Sequence, residues 1–131
     1  VSGIKFYWTE TGRSEYRATD ERLSCLGMWL VGDVQADRST CLDLLADLED
    51  ITAGRKEHES WEGNAWAAEL SPTGVDLQNL WREELSAHYT LAETRGVAER
   101  YWRLLAEDPG RGAAVQRWEE RNGRRHPYQG L

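Results

Sequence analysis

Two hydrophobic periods alternate along this chain, and a chain that switches between them has to pack strands against helices. In Ile4-Lys5-Phe6-Tyr7-Trp8-Thr9 the apolar residues Ile4, Phe6 and Trp8 recur at every second position, which places them on one face of a strand. From Asp37 the spacing changes to three and four. Leu42, Leu45, Leu48 and Ile51, with Leu44 alongside, mark an amphipathic helix that Asp37 or Ser39 can cap and Gly54 can end. Alternation returns at Trp66, Ala68 and Leu70, and again at Val75, Leu77, Asn79 and Trp81. Between these two runs lies Ser71-Pro72-Thr73-Gly74, whose Pro and Gly are turn chemistry. A second helix follows from about Ala92 to Glu107, with Val97, Tyr101, Leu104 and Leu105 on one stripe, Trp102 at its margin and Asp108-Pro109-Gly110 as its stop.

Weaker signals fill the gaps. Glu10-Thr11-Gly12-Arg13 reads as a turn, so Ser14 to Ala18 completes a hairpin with the first strand. Leu26 to Val34, apolar on both faces at Met28-Trp29-Leu30-Val31, is expected to be a central strand. Arg55 to Asn64 carries charge of both signs and is expected to be an exposed connection. Ala87 to Leu91 extends the meander, and Ala113, Ala114, Val115 and Trp118 outline a thin last helix. The expected fold is α+β: one antiparallel sheet of about five or six strands, with two main helices and a short carboxyl-terminal helix packed on one face. A chain of this length buries roughly two-thirds of its unfolded surface, enough for a single domain over residues 1–131.

The tryptophans follow the same elements. Trp8, Trp29, Trp66, Trp81 and Trp102 fall on apolar faces and are expected in the core, and Trp118 is expected to pin the carboxyl-terminal segment to the body. Trp61 alone stands in a charged stretch without an apolar phase, so it is the tryptophan expected to report function.

No motif for chemistry is present. Cys25 and Cys41 match no zinc or redox spacing and sit beside leucines, as two structural thiols of a reducing cytosol would. The apolar stretch from Leu26 to Val31 is far short of the roughly 20 residues that span a bilayer, and the first residues do not resemble an export signal, so a cytoplasmic address is expected. His58, His88 and His126 are too scattered for a ligand set. Neither a G-x-S-x-G elbow nor a phosphate-binding glycine loop occurs, so no catalytic, cofactor or metal site is expected.

What remains is charge joined to aromatic rings. The chain carries a formal −7, unevenly placed: residues 109–131 are an Arg-rich peripheral segment at +3, which leaves −10 on the rest. Such an acidic body disfavours nucleic acid and favours fast association with a basic protein. Glu57, Glu59, Trp61 and Glu62 in one segment, and Glu83 and Glu84 just after Trp81, are the candidate contacts, because a tryptophan beside carboxylates can pack on an arginine or lysine stem while the acids pair with its charge.

The whole-chain profile resembles the immunity proteins that accompany bacterial toxins, including those of contact-dependent inhibition systems. The likeness is carried by that profile and by the segments Gly27-Met28-Trp29-Leu30-Val31-Gly32-Asp33 and Ser60-Trp61-Glu62-Gly63-Asn64. It implies neutralisation of a cognate toxin, often a basic nuclease, by covering its active site or substrate groove with acidic groups. The arginines of the last segment depart from that picture. Two other readings stay open: a carbohydrate-binding or glycoside-cleaving protein with tryptophan platforms and paired carboxylates, and a self-associating regulatory subunit.

Overall fold

The computed structural model of the chain describes residues 2–107 and 110–131. Its elements run in the order β1 (Ile4–Trp8), β2 (Ser14–Ala18), α1 (Ser24–Trp29), α2 (Arg38–Thr52), β3 (Glu59–Glu62), β4 (Trp66–Ser71), β5 (Gly74–Asn79), β6 (Ser86–Tyr89), α3 (Leu91–Leu105) and α4 (Arg111–Asn122). A 3-10 turn at Glu21–Leu23 leads into α1, and a π-helical turn at Leu30–Val34 continues it.

The class is α+β, but the strands form two antiparallel sheets, a β1-β2 hairpin and a four-stranded meander β3-β4-β5-β6, where one sheet was expected. The cause lies in Leu26 to Val34, which is helical. Leu23, Leu26, Trp29, Leu30 and Val34 are all buried, and their spacings of three and four are a helix's period hidden inside a continuous apolar run. Gly27 allows the close approach that seats this helix on β2, because a Cβ there would stand 2.6 Å from the Tyr16 ring.

The meander turns one face to the helices. Trp61, Ala68, Leu77 and Ala87 stand in one cross-strand row on that face, and Leu70, Val75 and Tyr89 in another. Ser60, Glu69, Asp76 and His88 form a row on the opposite, solvated face. α2 packs on β4 and α3 on β5, while α3 and α1 support the hairpin strands β1 and β2, so one continuous core links both sheets.

Both long helices have the expected phase. Asp37 caps α2 by accepting from the Thr40 N–H. A capping box opens α3: Thr90 accepts from the Glu93 N–H while Glu93 reaches back to the Thr90 N–H. Ala106 caps the carboxyl end of α3; the stop expected at Asp108 and Pro109 lies outside the described residues. Among the described residues no helix is long and apolar enough to cross a membrane.

Trp118 pins the last segment as expected. It is 2% exposed, and its Nε1–H donates to Asp43 Oδ1 of α2 at 2.8 Å. Beyond α4 the chain folds back. Arg124 donates through Nη2 to Asp50 Oδ2 at 2.8 Å, and the buried His126 ring lies 4.3 Å from the Trp118 ring. His126 Nε2 is 2.8 Å from the Leu42 carbonyl, which can only accept, and Nδ1 accepts from the Tyr128 N–H at 3.1 Å. These two bonds require the neutral ring with its proton on Nε2.

Burial pushes the His126 pKa below its ordinary 6.5, so the fold favours the neutral ring. The stabilisation this gives is fully present above 6.5 and is lost as pH falls below that value, because the unfolded chain then binds the proton more readily. Urea midpoints measured at about pH 7.5 and about pH 5.5 are expected to fall with acid in the native chain and to fall less in His126→Gln.

Asp50 carries a second, lower window. It is 5% exposed, and its carboxylate lies between Arg124 and Arg55, whose Nε donates at 2.9 Å. Burial raises its pKa, but the Arg124 and Arg55 guanidiniums outweigh that and hold it below the ordinary 3.8. Its contribution is therefore present above that ordinary 3.8 and lost as pH drops through the lower folded value. Asp50→Asn is expected to cost about 2 kcal/mol in urea unfolding at neutral pH, less than the ~3–5 kcal/mol of a fully buried pair, because both arginines remain half in water.

Candidate functional site

The π-turn after α1 is where the site begins. Closing the Gln35 N–H onto the Leu30 carbonyl at 2.8 Å widens the helix by one residue. Within that turn, Asp33 reaches the β3-β4 connection. Its carboxylate accepts from the Ala65 N–H at 3.1 Å and the Trp66 N–H at 2.9 Å. Gly63 makes room, since a Cβ there would fall 2.3 Å from Asp33 Oδ2.

The clasped loop holds the next one. The Ala65 carbonyl accepts from the Leu80 N–H at 2.7 Å, and the Asn64 carbonyl accepts from the Trp81 indole Nε1–H at 2.9 Å. Asn79 Oδ1 accepts from the backbone N–H groups of Trp81 and Arg82 at 2.9 and 2.8 Å, a side-chain turn that fixes where Trp81 leaves the strand. Trp81 is nevertheless 79% exposed, and Leu80 beside it is 43% exposed.

This reverses an expectation. Trp81 has the parity of Val75 and Leu77 but stands one residue beyond Leu80, past the end of β5 at Asn79, where the alternation no longer points a side chain at the helices. Trp8, also expected in the core, is 39% exposed at the end of β1.

Trp61 moves the other way. The expected exposed connection is in part the edge strand β3, paired with β4 through Trp61↔Ala68. Trp61 is half-buried on the helix-facing side, edge-on to Trp29 with ring centroids 6.3 Å apart, and its Nε1–H donates to Asp47 Oδ2 at 2.8 Å. Burial pushes the Asp47 carboxyl above the ordinary carboxylate range, against the pull of Lys56 and the Trp61 indole.

The structure thus divides the six candidate residues. Glu59, Trp61 and Glu62 line a groove of about 430 Å³ against α2 and α4, in which Glu59 pairs with Lys56 at 3.3 Å. Glu83 and Glu84 belong to the loop that presents Trp81, and Glu62, at the end of β3, shares that end of the meander. Glu57 is exposed ahead of β3 and joins neither group. Arg82 Nε donates to Glu84 at 2.7 Å and holds its carboxyl below the usual range, whereas Glu62 and Glu83 have no side-chain partner among the described residues.

Leu80, Asn64 and Asn79 are not among the contacts expected from the sequence, and Trp81, set beside Glu83 and Glu84 there, is assigned to the core by its parity; the Asn79-Leu80-Trp81 step, an Asx-turn residue just before two apolar ones, is the available signal. Among the described residues no group of three or more His, Cys, Asp or Glu is arranged to hold a metal ion. Comparison with protein-family models, with curated proteins and with solved structures yields no match.

Proposed function

We propose that this chain is a protein-binding immunity protein that neutralises a cognate basic toxin, a nuclease being the leading class, with the Trp81 end of the meander as its contact surface. The observation that carries the reading is a tryptophan 79% exposed yet tethered by its indole nitrogen and its own backbone. A large aromatic plate held rigid in water loses little freedom on binding, which is the property of an interface anchor. Glu62 and Glu83, without cationic partners among the described residues, add the charge that steers a basic partner.

The groove gives less support to a sugar-binding or glycoside-cleaving reading. Trp118 is 2% exposed and offers no stacking face, and the indoles of Trp61 and Trp118 occupy Asp47 and Asp43. A binding kinetics experiment with the product of the neighbouring gene tests the proposal. Changing Glu62, Glu83 and Glu84 together to glutamine is expected to slow association about tenfold at low salt and to flatten its salt dependence. An unchanged association rate would remove the electrostatic part of the proposal.

A further inference from the structure

A second cavity lies away from that surface and has the opposite charge. It measures about 680 Å³ and is bordered by Trp8, Gln35, Arg38, Ser39, Arg117 and Arg121, with Asp37 as the one acidic residue of its lining among the described residues. Among the described residues, three arginines against one aspartate make a local excess of positive charge on a chain of net −7.

The arginines differ in how far they are committed. Arg38 spans the floor, donating from Nε to the Leu105 carbonyl at 2.5 Å and from Nη2 to the Glu107 carbonyl at 3.2 Å. Arg121 reaches Asp43 only at 3.4 Å, with both side chains about half exposed. Arg117, one helical turn earlier on α4, has no partner among the described residues. Asp37 already caps α2, so the site stands on the α4 arginines and not on the helix end.

Two further features bound the ligand. Trp8, 39% exposed, offers a flat apolar surface at one side of the cavity. Gln35 has φ 62 and ψ −169, a conformation that non-glycine residues rarely adopt, and its carbonyl is held by the Tyr101 hydroxyl at 2.7 Å. Strain kept in place by this part-buried hydrogen bond shapes the cavity wall at Gln35.

We infer that this cavity binds a small organic phosphate carrying a flat ring. The phosphate lies between Arg117 and Arg121, whose planar guanidiniums match its oxygens, and the ring lies against Trp8. The volume falls in the ~300–1,000 Å³ range of small-molecule sites.

Calorimetric titration of the full chain with adenosine 5′-monophosphate as the probe, beside inorganic phosphate and adenosine alone, tests this. The nucleotide is expected to bind saturably and more tightly than either fragment. Changing Arg117 and Arg121 to glutamine is expected to weaken nucleotide and phosphate alike by at least about tenfold, with an unchanged far-ultraviolet dichroism spectrum. Trp8→Leu is expected to weaken the nucleotide and spare phosphate. Absence of saturable binding up to millimolar nucleotide, or affinity unaltered in the double arginine variant, would overturn the assignment.

Discussion

Trp118→Ala is expected to lower the free energy of unfolding by about 4 kcal/mol, within the ~3–5 kcal/mol seen when a large buried aromatic is truncated. Three losses act together at this site. The indole's buried surface goes, the 2.8 Å bond to Asp43 goes, and the His126 ring loses the neighbour 4.3 Å away that helps keep it dry. Native domains have only about 5–15 kcal/mol to lose. Urea unfolding reads the total, and hydrogen exchange reads the location: α4 is expected to lose protection before α2 and α3. A loss below about 1 kcal/mol would mean that α4 is not held by this residue.

Trp81→Ala is expected to do the reverse, leaving the unfolding free energy within about 0.5 kcal/mol and weakening partner binding by at least about 2 kcal/mol, or roughly thirtyfold. The exposed ring buries little in the free chain, so its removal takes little from the core. Its tethers to Asn64 and Asn79 matter for binding, because they fix the ring before the partner arrives. Asn79→Ala, which frees the backbone at Trp81 and Arg82, is accordingly expected to lower affinity while every contacting side chain is kept.

The two helical stripes and the β4-β5 hairpin were legible because their periods are long enough to count. Leu42 to Ile51 can only be a helix, and Trp66 to Asn79 can only be paired strands about Pro72 and Thr73. Leu26 to Val34 was not legible, since an unbroken apolar run satisfies both periods and tertiary packing against Tyr16 decides between them. The site failed for a related reason. Parity assigns Trp81 to the core as long as the strand is assumed to continue, but β5 ends at Asn79, and the Asx turn there rotates the following residues outward. For Trp61 the charged neighbours misled: Lys56 and Asp47 form the polar wall against which β3 packs. Charge in the local sequence marked the rim of a groove instead of a free loop.

The most direct test of the binding surface is a calorimetric titration of the native chain and of Trp81→Ala with the protein encoded by the adjoining gene, at physiological salt. The account predicts saturable binding by the native chain and at least about thirtyfold weaker binding by the variant, at equal unfolding free energy. Equal affinity for the two, or no binding by the native chain, would contradict it.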